Sequence, residues 1–205
     1  LNDFAEAGLL EKFTVWFDSP LAARILEVFR QNKEIYDEDA TMLVQGGDDP
    51  FAFPRLRITS AGRDSREIDD VRDGAIIIAS GGMCEGGRIR RHLARLAPRP
   101  ETDLVFLGYQ ADGTLGRRLV DRTGEVEIDG RRVPVNCHVH TLGGFSGHAG
   151  RTELLDWARV ACRPGTRVFC VHGEPHAARS LADLLTKELR VTAHVPAHLE
   201  TVDLG

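Results

Sequence analysis

Two histidines of this sequence stand where hydrophobic packing does not require them, and the first is His148. It lies in the run TLGGFSGHAG at 141–150, where Gly147 and Gly150 near Ser146 have no side chains to cover the backbone. A hydroxyl, an imidazole and free backbone amides brought together in this way can hold an anionic oxygen and pass it a proton. The run therefore indicates a phosphate site with a proton donor. A Ser-His hydrolase fits less well, because the G-x-S-x-G turn is missing.

The second histidine, His172, follows directly on the apolar segment 166–171 and precedes Gly173. A histidine presented at the end of a strand suits a metal ligand or a proton donor, and Glu174 is near enough in sequence to assist. A capping or hydrogen-bonded structural histidine is the alternative interpretation.

The segment AIIIASGGMCEGGRIRRHL at 75–93 has the pattern of a strand, a glycine-rich turn and a helix. Glycines let successive backbone N–H groups point into one concavity, and the dipole of the following helix adds positive potential. Both effects favour a phosphate at Ser80, Gly81 and Gly82. A tight turn without a ligand is the alternative, since the pattern is neither a P-loop nor G-x-G-x-x-G.

The helix predicted over 87–96 carries three arginines on one face. Arg88, Arg91 and Arg95 follow the spacing i, i+3 and i+7, which makes a cationic stripe. Such a stripe suits the phosphates of a nucleic acid, and a solvated helix face is the alternative. The formal net charge of −5 argues against wholesale non-specific nucleic-acid binding, so any such binding must depend on local charge.

The remaining histidines and the cysteines give weaker signals. His138 and His140 share one face of a predicted strand and could chelate a metal, although a polar strand face is the preferred interpretation. Solvated or loop positions are predicted for the other histidines, which are His92, His176, His194 and His198. The four cysteines lack C-x-x-C pairing, so we expect reduced, buried thiols rather than a cysteine zinc site.

Alternating strands and helices must position these residues. Strands are predicted at 13–17, 75–79, 104–107, 166–171 and 191–195, and helices at 20–32, 64–71, 87–96, 115–120, 151–161 and 175–189. Asp129-Gly130 predicts a hairpin over 125–134, and 45–74 is predicted to hold loops and one short helix. The expected fold class is α/β, with a mostly parallel or mixed sheet covered by helices. Functional groups of such sheets collect beyond the carboxyl ends of strands, here including Asp18-Ser19.

Composition indicates a globular protein. Of the 205 residues, 42% are hydrophobic and 28% are charged. The longest apolar run, 75–79, is far shorter than the roughly 20 residues of a membrane span, and no secretory signal opens the chain. We therefore expect a cytoplasmic protein that has no membrane partner. Hydrophobic residues at helical spacing begin at Leu1 with no N-cap residue before them. We therefore also expect the chain to be part of a longer protein.

Five blocks in chain order carry a resemblance to a known family. They are FDSPLA at 17–22, IIIASGGMCEGGRIRRHL at 76–93, FLGYQADGTLGRRL at 106–119, GFSGHA at 144–149 and VHGE at 171–174. With these blocks the chain resembles the β-CASP nucleases of the metallo-β-lactamase fold. These are RNA-processing, exonuclease-like proteins related to the cleavage and polyadenylation nuclease and to ribonuclease J.

The resemblance implies a zinc-dependent endo- or exonuclease acting on RNA, with single-stranded RNA as partner. It implies an N-terminally truncated β-CASP domain over 1–140. The C-terminal strand-helix-strand segment of a metallo-β-lactamase αββα domain is implied over 141–205.

Roles for single residues follow from the same resemblance. His148 matches the histidine that gives a proton to the leaving oxygen, and His172 matches a ligand of one of two zinc ions. Ser146 and Gly147 match positions that hold a phosphate. In this family the β-CASP domain is inserted into the metallo-β-lactamase domain, and the Ser80, Gly81 and Gly82 turn matches the β-CASP side of the cleft between them. The arginine stripe would bind RNA beside this turn.

The sequence also departs from this family. The H-x-H-x-D-H segment that supplies most zinc ligands is missing, as is a further family carboxylate, and Gly150 stands where many relatives carry Asp. A two-zinc hydrolase needs both metals. We therefore expect that this chain supplies at most one zinc ligand and does not cleave RNA alone.

Two other hypotheses remain from the sequence. One is a non-catalytic RNA-binding or scaffolding paralogue that lacks the metal site, and the other is an unrelated phosphate-binding α/β domain. An H-x-H-x-D-H segment upstream of Leu1 would favour the enzyme. A homodimer is a further hypothesis, because the final strand and the hairpin leave edges that a second copy could cover.

Overall fold

The computed structural model describes residues 1–49, 51–59, 62–145 and 147–203. The chain divides into two compact units. The first unit comprises Leu1–Phe106 and Gly113–Thr141, and the second comprises Leu107–Asp112 and Leu142–Gly205. Each unit has a hydrophobic core of its own.

The first unit contains the larger share of the described helices and strands. Its helices are Asn2–Glu6 (α1), Pro20–Gln31 (α2), Glu38–Gln45 (α3), Gly62–Glu67 (α4), Ile89–Leu96 (α5) and Leu115–Val120 (α6), with short 3₁₀ helices at Lys33–Ile35 and Ile68–Asp70. Its strands are Thr14–Asp18 (β1), Leu56–Ile58 (β2), Ala75–Ala79 (β3), Asp103–Phe106 (β4), Glu125–Ile128 (β5), Arg131–Pro134 (β6) and His138–Thr141 (β7).

Three of these strands form a parallel sheet in the order β2-β1-β3. The central strand β1 is rich in β-branched and aromatic residues, which favour a pleated, buried surface, and Val15 is completely buried. Asp18 at the end of β1 lies opposite Ala79 at the end of β3. The carboxyl ends of the two strands therefore bring Asp18, Ser19 and Ser80 to one edge of the sheet.

Helix α2 begins at this edge with a capped N terminus. The Oγ atom of Ser19 accepts a hydrogen bond from the backbone N–H of Ala22 at 3.2 Å. Pro20 occupies the first helical position, where its missing N–H costs no helical hydrogen bond. The start of α2 thus fixes Ser19 directly after the buried strand.

The rest of the first unit is built from two further strand pairs. Strands β4 and β7 pair in parallel, and β5 and β6 form an antiparallel hairpin. Asp129 and Gly130 have φ angles of 51° and 75°, the positive values that a type I′ turn requires, so the predicted hairpin is confirmed. The core around them consists of Cys84, Leu93, Ala97, Phe106, Leu115, Leu119, Val126, Ile128, Val133, Cys137 and Val139.

The second unit is a strand-helix-strand arrangement preceded by a helix. Its described elements are the 3₁₀ helix Gly143–Phe145, then Arg151–Ala161 (α7), Arg167–Phe169 (β8), Pro175–Leu189 (α8) and Thr192–His194 (β9). Strands β8 and β9 pair in parallel, and α8 is the connection between them. The core consists of Ala158, Cys170, Ala178, Ala182, Leu185 and Val191.

The predicted fold class is confirmed, since the described chain is mixed α/β with mainly parallel strand pairs. The pairing is divided among small sheets. Strand β2 corrects the prediction of loops and one short helix over 45–74. At three residues, Leu56–Ile58 is too short to show a period of two, and its place in the sheet depends on β1.

The four cysteines are free thiols, and three of them are buried. Burial raises the pKa of the Cys84 thiol to about 11, so this thiol is protonated at neutral pH. Buried, unreactive thiols agree with the spacing of the cysteines in the sequence.

Among the helices that the structure describes, none combines the length and the apolar character needed to cross a membrane.

Candidate functional site

The turn after β3 brings Ser80 to the surface of the first unit. Gly81 has a φ of 100°, and a Cβ atom there would lie 2.3 Å from the carbonyl oxygen of Gly86. Around Gly82, by contrast, no described atom outside Gly82 and its two chain neighbours lies within 4 Å of the Cβ position. Gly81 is thus required by the close packing of the turn on itself, whereas the surface beside Ser80 and Gly82 is open.

Ser19 lies directly behind Ser80. The Ser19 hydroxyl donates a hydrogen bond to the Oγ atom of Ser80 at 2.8 Å. Ser19 is only 1% exposed, whereas Ser80 is exposed. The Ser80 hydroxyl is therefore presented to solvent and is held from behind by the buried Ser19 hydroxyl.

Asp18 forms the centre of a buried cluster that we call the Asp18 cluster, made of Asp18, Thr59, Ser65, Arg88 and His92. The Asp18 carboxylate is 0% exposed. One of its oxygens accepts hydrogen bonds from Thr59 and Arg88, and the other accepts from Ser65 at 2.7 Å and from His92 Nε2 at 2.6 Å. Burial opposes ionisation, but these hydrogen bonds outweigh it and hold the pKa of Asp18 well below its usual range.

The position of His92 corrects the prediction of a solvated or loop histidine. His92 lies on α5 and is 2% exposed. Burial lowers the pKa of His92, and the hydrogen bond and charge of Asp18 offset this only in part. The ring is therefore neutral at neutral pH and donates its Nε2–H to the carboxylate. Its Nδ1 is buried and has no hydrogen-bond partner among the described residues.

The predicted arginine stripe faces carboxylates and carbonyls of its own unit. Arg88 contacts Asp18, and Arg91 contacts the carboxylate of Asp69 at 2.7 Å and the backbone carbonyl of Ser65 at 2.7 Å. Arg95 donates to the carbonyl oxygens of Asp69 and Ile68 at 2.6 and 3.0 Å. The Arg91 side chain keeps the largest exposed fraction of the three, 38%. Binding of RNA by these arginines stays a prediction.

In the second unit, His148 and Gly147 are exposed in the loop that leads to α7. Ser146, the third residue predicted for this site, lies outside the described residues. Gly150 is the N-cap of α7, and its N–H donates to the Glu153 carboxylate at 2.7 Å, which is one half of a capping box. The loop that carries His148 therefore ends at a fixed helix start two residues later.

His172 is exposed just beyond β8 and has an unusual backbone. Its φ of 64° lies in the left-handed region, which is costly for a residue with a Cβ atom. Such outliers cluster at functional sites, where the surrounding structure holds them. Glu174, predicted to assist His172, accepts hydrogen bonds from the Tyr109 hydroxyl and from the backbone N–H of Asp112.

Side chains that could bind a metal ion are not grouped together in the part of the chain that the structure describes. Within it, no group of three or more His, Cys, Asp or Glu side chains could hold a metal ion. His140 Nε2 lies 2.7 Å from an Asp103 oxygen at the surface, and His138 is exposed on the same strand. The described residues therefore form no complete zinc site, and His172 would be a single ligand.

The Asp18 cluster is the feature that sequence analysis missed. Asp18 was recognisable as a residue at a strand end, but its partners come from distant segments. Arg88, the N-cap of α5, and His92 within α5 are four residues apart and so lie on one side of the helix, which is the one sequence signal that links them.

Both parts of the chain match family models. Residues 1–119 match the Beta-Casp domain, and residues 132–196 match the Zn-dependent metallo-hydrolase RNA specificity domain. The first match covers more than half of the chain. The chain therefore belongs to the Beta-Casp family, as the five blocks predicted.

Several named proteins are similar to the chain. Over 176 residues it is 36% identical to Ribonuclease TTHA0252 of Thermus thermophilus, an alignment that covers 86% of the chain and 40% of the relative. It is 39% identical over 164 residues to Transcription termination factor FttA of Thermococcus kodakarensis, covering 77% of the chain and 25% of the relative. With FttA of Methanosarcina mazei the identity is 30% over 211 positions, covering 100% of the chain and 33% of the relative. The chain thus spans less than half the length of these relatives.

Proposed function

We propose that this chain is part of a zinc-dependent ribonuclease that hydrolyses phosphodiester bonds of single-stranded RNA. The observation that carries the proposal is His172, an exposed histidine in a left-handed backbone conformation beyond β8. It lies inside the region that matches the Zn-dependent metallo-hydrolase RNA specificity domain. A relative named as a ribonuclease supports the reaction class.

The proposal includes the domain assignment. Residues 1–140 would be the β-CASP domain, and residues 141–205 would be the C-terminal segment of the metallo-β-lactamase domain. In support, the first compact unit ends at Thr141. The match at 132–196 begins slightly before that point.

His172 would supply one zinc ligand. The family description supports zinc as the metal, but the described residues hold no group of three ligands. The remaining ligands would therefore have to come from outside the described residues, and the 205-residue chain would not cleave RNA by itself.

His148 would act as the general acid. As water adds to phosphorus and the bond to the leaving oxygen breaks, His148 would give that oxygen its proton. Gly147 and Ser146 would hold the phosphate in the same loop, and the exposure of His148 and Gly147 supports this. The first unit would contact RNA through Ser80, Gly81 and Gly82, with Arg88 and Arg91 adding positive charge.

Metal content and RNA cleavage test the proposal when they are measured side by side. The samples are the 205-residue chain and the longer product of the complete reading frame that contains it. We expect that only the longer protein binds about two zinc ions and cuts RNA. If neither binds zinc nor cuts, the chain belongs to a non-catalytic RNA-binding or scaffolding paralogue.

The role of His148 has its own test in the longer protein. His148→Ala should lower the cleavage rate about 10²–10⁴-fold while zinc content stays the same. His198→Ala, at another exposed histidine, is the matched control and should leave the rate unchanged. An unchanged rate for His148→Ala would show that His148 is not the general acid.

A further inference from the structure

The hydroxyls of Ser19 and Ser80 form a chain of hydrogen bonds that leads from the start of α2 to the surface. The backbone N–H of Ala22 donates to Ser19 Oγ at 3.2 Å, and the Ser19 hydroxyl donates to Ser80 Oγ at 2.8 Å. Ser19 is 1% exposed, so its hydroxyl is shielded from competing water. Ser80 is exposed, so the outer end of the chain reaches solvent.

The direction of this chain determines what Ser80 can do. A serine hydroxyl has one hydrogen and two acceptor lone pairs. The Ser19 oxygen accepts from the backbone N–H of Ala22, and in the structure the single Ser19 hydrogen is directed to the Ser80 oxygen. Because Ser80 already accepts at its oxygen, its own hydrogen remains for an acceptor outside the turn. Hydrogen bonds in series also polarise one another, which strengthens the outermost donor.

The surroundings of Ser80 suit an acceptor that approaches from solvent. Apart from Gly82 and its two chain neighbours, no described residue has an atom within 4 Å of the Cβ position of Gly82, so a ligand can come close to the backbone there. Gly81 holds the turn in a conformation that other residues would not adopt without a clash with Gly86. The Ser80 hydroxyl is therefore fixed by the turn on one side and by Ser19 on the other.

We infer that Ser19 is a positioning residue, which orients the Ser80 hydroxyl to donate to a phosphate oxygen of the RNA backbone. This inference rests on the proposed role of Ser80 in RNA binding and deepens it. Ser19 itself, being buried, does not touch RNA. Its contribution passes entirely through Ser80, and this makes it separable from a general effect on the fold.

A double-mutant cycle on the 205-residue chain tests the inference. The probe is a single-stranded oligoribonucleotide of about ten nucleotides, bound at fixed salt and followed by fluorescence anisotropy. Ser80→Ala should weaken binding about tenfold, as expected for a lost hydrogen bond to a charged group. Ser19→Gly should weaken it about threefold, because glycine keeps most of the capping stability at this position but removes the hydroxyl.

The double variant supplies the decisive comparison and the matched control. If Ser19 acts through Ser80, adding Ser19→Gly to Ser80→Ala should change the dissociation constant no further. A further threefold loss in that background would overturn the inference, because it would show that Ser19→Gly acts through the fold. Thermal unfolding of all variants checks that each is folded at the temperature of the binding measurement.

The cycle also separates this inference from the proposed function. If Ser80→Ala weakens binding and Ser19→Gly does not, Ser19 does not position Ser80, although Ser80 still binds RNA. If Ser80→Ala has no effect, the turn does not bind RNA, and both the positioning role of Ser19 and the proposed role of Ser80 are wrong.

Discussion

The carboxyl ends of parallel strands differ sharply between the two units. At the end of β1, Asp18 is completely buried, and two hydroxyls, a guanidinium and an imidazole surround it. Just beyond β8, His172 is exposed on a left-handed backbone. The same topological position thus holds a buried, hydrogen-bonded carboxylate in one unit and an exposed side chain in the other. A polar residue at a strand end stabilises the fold where distant segments supply its partners, and it is available for chemistry where they do not.

The largest expected effect on stability comes from replacing the buried Asp18 at the end of β1. Asp18→Ala would leave the buried His92 and the partly buried Arg88 without their carboxylate, so the free energy of unfolding should fall by about 3–5 kcal/mol. Urea denaturation followed by circular dichroism measures this.

An exposed pair of the same geometry is the control for Asp18→Ala. Asp103 lies 2.7 Å from His140, but the Asp103 side chain is 64% exposed. Asp103→Ala should therefore cost less than about 1 kcal/mol. Equal losses for the two variants would show that burial does not set the strength of the Asp18 cluster.

Acid should weaken the Asp18 cluster in two separate pH ranges. The folded pKa of His92 is lowered by burial, so the unfolded chain takes up this proton first, and the stabilisation present above about pH 6.5 is lost as pH falls. The lowered pKa of Asp18, whose hydrogen bonds outweigh its burial, adds a second loss below about pH 4.

The His92 range can be isolated by substitution. Between pH 7.5 and 5, wild type should lose stability that His92→Gln does not lose. Urea denaturation at each pH measures the difference. Parallel curves for wild type and His92→Gln would show that His92 does not titrate as its buried position requires.

At the exposed position beyond β8, replacing His172 should stabilise the protein. Glycine adopts a φ of 64° without the cost that a Cβ atom brings, so His172→Gly should raise the free energy of unfolding by roughly 0.5–1 kcal/mol. His176→Gly, in the first turn of α8, should do the opposite because the helix loses a better helix former. A loss of stability in His172→Gly would mean that the imidazole supports the fold, and the comparison between the two strand ends would fail.

Sequence reasoning predicted the elements but not the partners of Asp18. The strands around Ile76 and Val15, the turn at Asp129-Gly130 and the position of His172 at a strand end all follow from local patterns. His92 is 74 residues from Asp18 in the chain, and Thr59 is 41 residues away, beside a strand too short to show a period. Local periodicity cannot report such contacts, because the carboxylate and its donors meet only after the sheet has formed. For the same reason the arginine stripe was recognisable as a face of α5, while the groups opposite that face were not.

The smallest expected effect concerns the arginine stripe, whose side chains are partly exposed. Arg91 contacts Asp69 and the carbonyl of Ser65 and is still 38% exposed, so it can add one phosphate contact without leaving its partners. Arg91→Ala should then weaken RNA binding about two- to threefold, and the slope of log K against log salt should fall by at most about one. Arg131→Ala, at an exposed arginine of β6, is the control for the loss of one positive charge in the same unit. If both variants keep the wild-type slope, Arg91 does not contact RNA, and its side chain serves only its contacts with Asp69 and Ser65. Helix α5 then stabilises the first unit, as the Asp18 cluster does.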